Sequence, residues 1–198
     1  MRTSRLEAFS DGVLAIIITI MVLELNVPEE PTLHALGESA TGFLTYALSF
    51  VYVGIYWNNH HHMFQVVDAI SGTVLWANLH LLFWLSLFPF STAWMDETDF
   101  ARTPTIVYGV NLLLAALAYT LLVQTIYRGP SGGKLRRALG PDRKGKLSPL
   151  VYVTGLLVCL VSPGAGLATY TIVAIIWLVP DRRVERFLAA EASSTGPA

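Results

Sequence analysis

The sequence predicts an all-α membrane protein with six transmembrane helices and both termini in the cytoplasm, and three observations lead there. First, 54% of the 198 residues are hydrophobic and 14% are charged, with mean hydropathy +0.54, whereas a soluble domain carries about 25% charged residues. Second, the apolar runs are continuous rather than alternating, and several reach the roughly 20 residues that a helix needs to cross a bilayer. Backbone groups in lipid find no water, so only helices or closed barrels span, and unbroken runs select helices. Third, the charges cluster between these runs, with acids and bases on opposite sides.

The first span covers residues 6–25 and closes at Asn26-Val27-Pro28. A loop rich in acid and proline follows, with Glu29, Glu30, Pro31 and Glu38. The second span, residues 41–64, ends in a polar knot, Trp57-Asn58-Asn59-His60-His61-His62. A short link with Asp68 leads to the third, residues 72–95, which Pro89 interrupts late. A second acidic loop, Asp96-Glu97-Thr98-Asp99, precedes the fourth span, residues 105–127. A basic Gly/Pro-rich loop, residues 128–146, separates it from two shorter runs, 147–161 and 166–179, which fit a tilted or re-entrant hairpin as well as two full crossings. The tail, residues 181–198, starts amphipathic and becomes small and polar, a pattern of disorder. The whole chain reads as a single membrane domain.

Cytoplasmic loops concentrate Lys and Arg. With the N-terminus inside, Arg102 is the one basic residue of 13 outside, and both acidic loops are outside. The multi-pass chain is expected in the cell membrane, with its basic loop touching anionic headgroups; no aromatic interleaving supports a nucleic-acid partner. The single cysteine, Cys159, excludes a disulfide within the chain. The first run carries Asp11 and ends in Glu24, unlike a cleavable signal peptide.

The first span holds the most informative residues. An ionisable side chain inside a membrane is costly and faces protein or water. Asp11 lies six residues past Arg5, roughly 9 Å along the helix. Asn59 and His60 of the second span, and Asn78 and His80 of the third, reach the same depth. Such a cluster suits mutual hydrogen bonding, with Arg5 supplying compensating charge. Two readings stay open: a fastening between helices, and a proton relay or gating element. At 100° per residue, Ile16, Thr19, Ile20 and Leu23 share another face, which Phe9 and Gly12 extend and which stands about 140° from Asp11. Periodicity alone leaves that stripe as helix packing or pore lining.

The motif Arg5-x-x-x-Phe9-Ser10-Asp11-Gly12, with Trp57-x-Asn59-His60-His61, Asn78 and Pro89-Phe90, resembles the bacterial members of the endolysosomal potassium channel family, the transmembrane protein 175 family. The resemblance covers the first three spans. It implies a homotetramer in the lipid bilayer, with the first helix of each subunit lining a central pore for potassium ions and with no cofactor. It places the constriction on Ile16, Thr19 and Leu23, beside Ile20, and the polar network on Arg5, Phe9, Ser10, Asp11, Trp57, Asn59, His60 and Asn78, with Trp76 as a further member. No Thr-Val-Gly-Tyr-Gly filter is present, so selectivity is not expected from stacked carbonyl rings. A ring of Ile16 side chains would instead make a dry neck that favours the less strongly hydrated potassium over sodium.

Other classes fit less well. Three consecutive histidines on a helix point about 100° apart and converge poorly on one metal ion. A small proton-coupled transporter would use Asp11, His60 and Arg5 as its relay, but no inverted repeat accompanies them. No Gly-x-Ser-x-Gly or His-Glu-x-x-His motif marks an enzyme.

Overall fold

The computed structural model describes residues 3–140, 143–178, 187, 189 and 190. Within them every regular element is a helix: α1 (Thr3–Leu23), α2 (Leu33–Glu38), α3 (Ala40–Gln65), α4 (Gly72–Ser86), α5 (Phe88–Glu97), α6 (Arg102–Tyr127), α7 (Gly132–Leu139), α8 (Arg143–Cys159) and α9 (Pro163–Leu178). Four stretches are long and apolar enough to cross a membrane: α1, α3, α4 with α5, and α6. The apolar parts of the last two, Leu147–Cys159 and Pro163–Leu178, are shorter.

Two departures from the sequence expectation, and one break that it foresaw, have local causes. The acidic first loop contains α2, which Thr32 starts by accepting from the Ala35 N–H at 3.2 Å, a side-chain cap for one of the orphan donors of a helix start. The basic loop contains α7, which turns Leu135 and Ala138 into the bundle and leaves Arg136 and Arg137 exposed. The third run is two helices that break at Leu87. Pro89 sits in the first turn of α5, where its missing N–H costs no helical bond. The basic residues Arg2, Arg182, Arg183 and Arg186, and most of the 181–198 tail, lie outside the described residues.

Helix α5 ends in a tight corner. The Phe100 N–H bonds the Met95 carbonyl and the Asp99 N–H bonds the Asp96 carbonyl, both at 3.0 Å. Asp99 and Phe100 adopt φ of 49° and 56°, the left-handed conformation of a Schellman cap. The chain thereby reverses into α6.

The bundle has two halves. Helix α1 packs on α3, α4 and α5, while α6 packs on α4, α5, α8 and α9. The second half closes around Tyr170 of α9, which is fully buried. Its ring enters the space left by Gly109 of α6 and Gly155 of α8, and a methyl group on either glycine would strike it. Small residues allow this close approach in membrane bundles. The Tyr52 hydroxyl of α3 donates to the Tyr170 carbonyl at 2.5 Å, tying the halves together.

Candidate functional site

Beyond Asp11, helix α1 is apolar apart from Thr19, so packing rather than hydrophobic contrast distinguishes its faces. Leu6, Ser10, Leu14, Ile17 and Met21 are buried, at steps of four and three residues that follow one stripe. The opposing stripe is open: Phe9 is 55% exposed, Ile16 58%, Ile20 41% and Leu23 80%. Thr19 lies on the same open face, its hydroxyl turned back to the Ile16 carbonyl at 2.9 Å. Asp11 stands on a third edge, toward α3.

The buried stripe carries one polar residue, Ser10, and it anchors a chain of hydrogen bonds across three helices. The Ser10 hydroxyl donates to the Leu6 carbonyl at 2.9 Å. Having one proton, it is left as an acceptor, and the Asn78 amide of α4 donates to it at 3.0 Å. The amide therefore turns its carbonyl to His60 of α3, 2.8 Å from Nε2. Because that oxygen only accepts, Nε2 of His60 carries the proton. Ser10, His60 and Asn78 are each at most 3% exposed, so water does not compete for these bonds. The His60 ring also packs on Phe64, with centroids 4.6 Å apart.

A second link runs along the open edge of the same helices. The Trp57 indole donates to Asp11 Oδ1 at 3.0 Å, so the partner given to Asp11 is Trp57 rather than Arg5, which is exposed six residues earlier. His61 stacks on Trp57, the planes 13° apart, and pairs with Gln65 at 2.9 Å. Other residues expected in the network are elsewhere. Asn59 donates to the Ile55 carbonyl of its own helix at 2.8 Å. His80 accepts from Trp84 at 3.0 Å on the exposed face of α4, where Trp76 is 75% exposed. Among the described residues no group of three or more His, Cys, Asp or Glu stands together to hold a metal ion.

A polar layer that sequence reasoning did not single out lies roughly 16 Å farther along α3. Ser49 bonds Thr92 of α5 at 2.7 Å and Tyr108 of α6 at 3.1 Å. The Asn111 amide of α6 donates to Ser91 at 3.3 Å, while its buried oxygen lacks a protein partner. A lone Asn111 within an apolar run was the available signal.

Comparison with known proteins agrees with this architecture. The model of the family described as "Endosomal/lysosomal potassium channel TMEM175" matches residues 5–89, the stretch that holds α1, the Trp57–Asp11 link and the Ser10–Asn78–His60 chain. A potassium channel of Chryseobacterium sp. (strain P1-3) is 50% identical over 189 residues, covering 95% of this chain and 98% of that relative. A potassium channel of Streptomyces collinus is 34% identical over 128 residues, and the match spans 62% of its length. Among solved structures, the crystal structure of a lysosomal potassium-selective channel TMEM175 homolog from Chamaesiphon minutus superposes with TM-score 0.75 at 27% identity, covering 88% of this chain and 95% of that one. These names all denote ion channels and not enzymes. The helical bundle, the apolar crossings and the near full-length relative together place the chain in the TMEM175 family.

Proposed function

We propose that the chain forms a potassium-permeable cation channel of the cell membrane, a homotetramer in which α1 of each subunit lines a central pore. The observation that carries this reading is the open apolar stripe of α1, on a helix whose other face is packed. Four copies of Ile16, Thr19, Ile20 and Leu23 around an axis would make a narrow hydrophobic constriction. An ion entering it sheds part of its water, which costs less for potassium than for sodium, and the Thr19 hydroxyls soften the loss. Membership of the TMEM175 family, and the channel names of the relatives, support the same reading. Six crossings with both termini in the cytoplasm accord with the placement of the basic residues. No resident cofactor is needed for passive conduction; the ion is the substrate.

In this proposal Ser10, His60, Asn78, Asp11 and Trp57 hold α1 at a set rotation, so that the open stripe faces the axis. The order of the bonds favours fastening over proton transfer, because the chain passes through an amide and ends on the Leu6 carbonyl, neither of which relays protons readily. Arg5, Phe9 and Asn59 flank it. The test is flux from liposomes that hold the purified protein. A channel passes potassium faster than sodium, without saturation and without a pH gradient. Saturable flux that needs a proton gradient refutes the channel reading.

A further inference from the structure

We propose that the cleft walled by α3, α6, α7, α8 and α9 binds one anionic phospholipid from the surrounding membrane, its phosphate on Arg136 and an acyl chain along the aromatic walls. The cleft has a volume of about 410 Å³, within the roughly 300–1,000 Å³ of ligand sites. Its walls include Ile55, Tyr56, Tyr119, Val123, Tyr152 and Trp177, and Arg136 stands at its edge. No residue of α1 lines it, so its occupant leaves the open stripe of α1 clear.

Charge selects the headgroup. The Arg136 guanidinium lies over the Tyr127 ring, 5.2 Å from the centroid. Stacking engages the face of the guanidinium and leaves its in-plane N–H groups to grip phosphate oxygens. Lys144 adds a second cation over Trp177, 6.0 Å from the ring. The segment 128–146 holds Arg128, Lys134, Arg136, Arg137, Arg143, Lys144 and Lys146 against one acid, Asp142. The acid of the neighbouring link, Asp68, faces Lys134 at 3.7 Å, on the other side of α7 from Arg136. Helix α7, apolar inward and basic outward, is suited to lie at a headgroup surface.

Shape selects the rest of the ligand. A free anion would occupy the basic edge and leave the aromatic walls uncovered, whereas an amphiphile meets both. Arg136, Gly140 and Gly145 of the basic segment line the cleft, and basic segments lie where headgroups of anionic lipid concentrate.

The test uses the full-length channel, stripped of lipid in detergent and titrated with phosphatidylglycerol or phosphatidylcholine, with bound lipid counted by native mass spectrometry. Phosphatidylglycerol should be retained about fivefold better or more, the effect of one surface cation. Arg136→Gln should erase that preference, lowering phosphatidylglycerol retention to the level of phosphatidylcholine. Thr120→Phe, at a cleft position whose hydroxyl bonds only the Ala116 carbonyl of its own helix, should block both lipids. Equal retention of the two lipids by the unaltered chain overturns the proposal, as does an intact preference in Arg136→Gln or displacement of bound lipid by inorganic phosphate. Arg136 is exposed, so its variant decides the matter even where Thr120→Phe fails to fold.

Discussion

Asn78→Ala removes the link between α1 and α3, and its effect follows from the geometry. The bond to Ser10 is the cheaper loss, because the serine keeps its own donation to Leu6; such interhelical bonds average about 0.6 kcal/mol in membranes. His60 fares worse. Its Nε2–H, in a residue 3% exposed, loses its acceptor, and a stranded buried donor costs about 1–3 kcal/mol. The total is about 2–4 kcal/mol, a fall of roughly 4–16 °C in melting temperature for a chain of this size. Asn59→Ala is the control: that side chain bonds only the Ile55 carbonyl of its own helix, and its loss should cost less than about 0.5 kcal/mol. Thermal unfolding of the purified protein in detergent measures both, and a cycle with Ser10→Ala should give a coupling of about 0.5 kcal/mol or more. Equal costs for Asn78→Ala and Asn59→Ala would refute the directional chain, as would additivity of Ser10→Ala with Asn78→Ala.

Other substitutions probe other parts of the molecule. Ile16→Asn should raise conductance and weaken potassium-over-sodium selectivity in single-channel recordings, since a wettable side chain replaces an apolar one that is 58% exposed on the open stripe; unchanged permeation removes Ile16 from the constriction. Gly109→Ala drives a methyl into the buried Tyr170 and should destabilise by about 1–3 kcal/mol. Gly54→Ala, with nothing within 4 Å of the new methyl, should be neutral or stabilise by up to about 1 kcal/mol, and both are read from melting curves. Asp99→Gly relieves a left-handed residue at φ 49° and should stabilise by about 0.5–1 kcal/mol; a lower melting temperature contradicts the cap.

The long helices were legible because length and continuity of apolar sequence are what a bilayer demands, and the break near Pro89 followed from the missing N–H of proline. Counting residues along each helix put His60 and Asn78 at one depth, but it pointed to Asp11 as their partner on α1, and the structure has Ser10 there. Rotation was harder. Lipid-facing and protein-facing surfaces are both apolar, so the run from Trp57 to His62 did not declare that Asn59, expected beside His60 in the network, bonds its own helix. Ser49, Thr92 and Tyr108 escaped notice for a related reason. Hydroxyls in such helices commonly satisfy themselves on a preceding carbonyl, as Thr45 and Thr120 do, and only packing reveals those that reach across. The short helices α2 and α7 were hidden in loops whose Gly, Pro and charge content reads as irregular.

The Tyr170 clasp has a consequence for how the chain is made. Helices α8 and α9, of 17 and 16 residues, extend about 25 Å at most, short of the ~30 Å hydrocarbon layer. Held at Gly109 of α6 and by the Tyr52 hydroxyl of α3, this hairpin gains its place from α3 and α6, which leave the ribosome earlier. Such a hairpin is expected to dock on the preceding helices rather than insert alone, a point checked by comparing membrane insertion of the chain truncated before α8 with that of the whole chain. Weakening the clasp is then expected to loosen α8 and α9 while leaving α1, α3 and α4 joined through Ser10, Asn78 and His60.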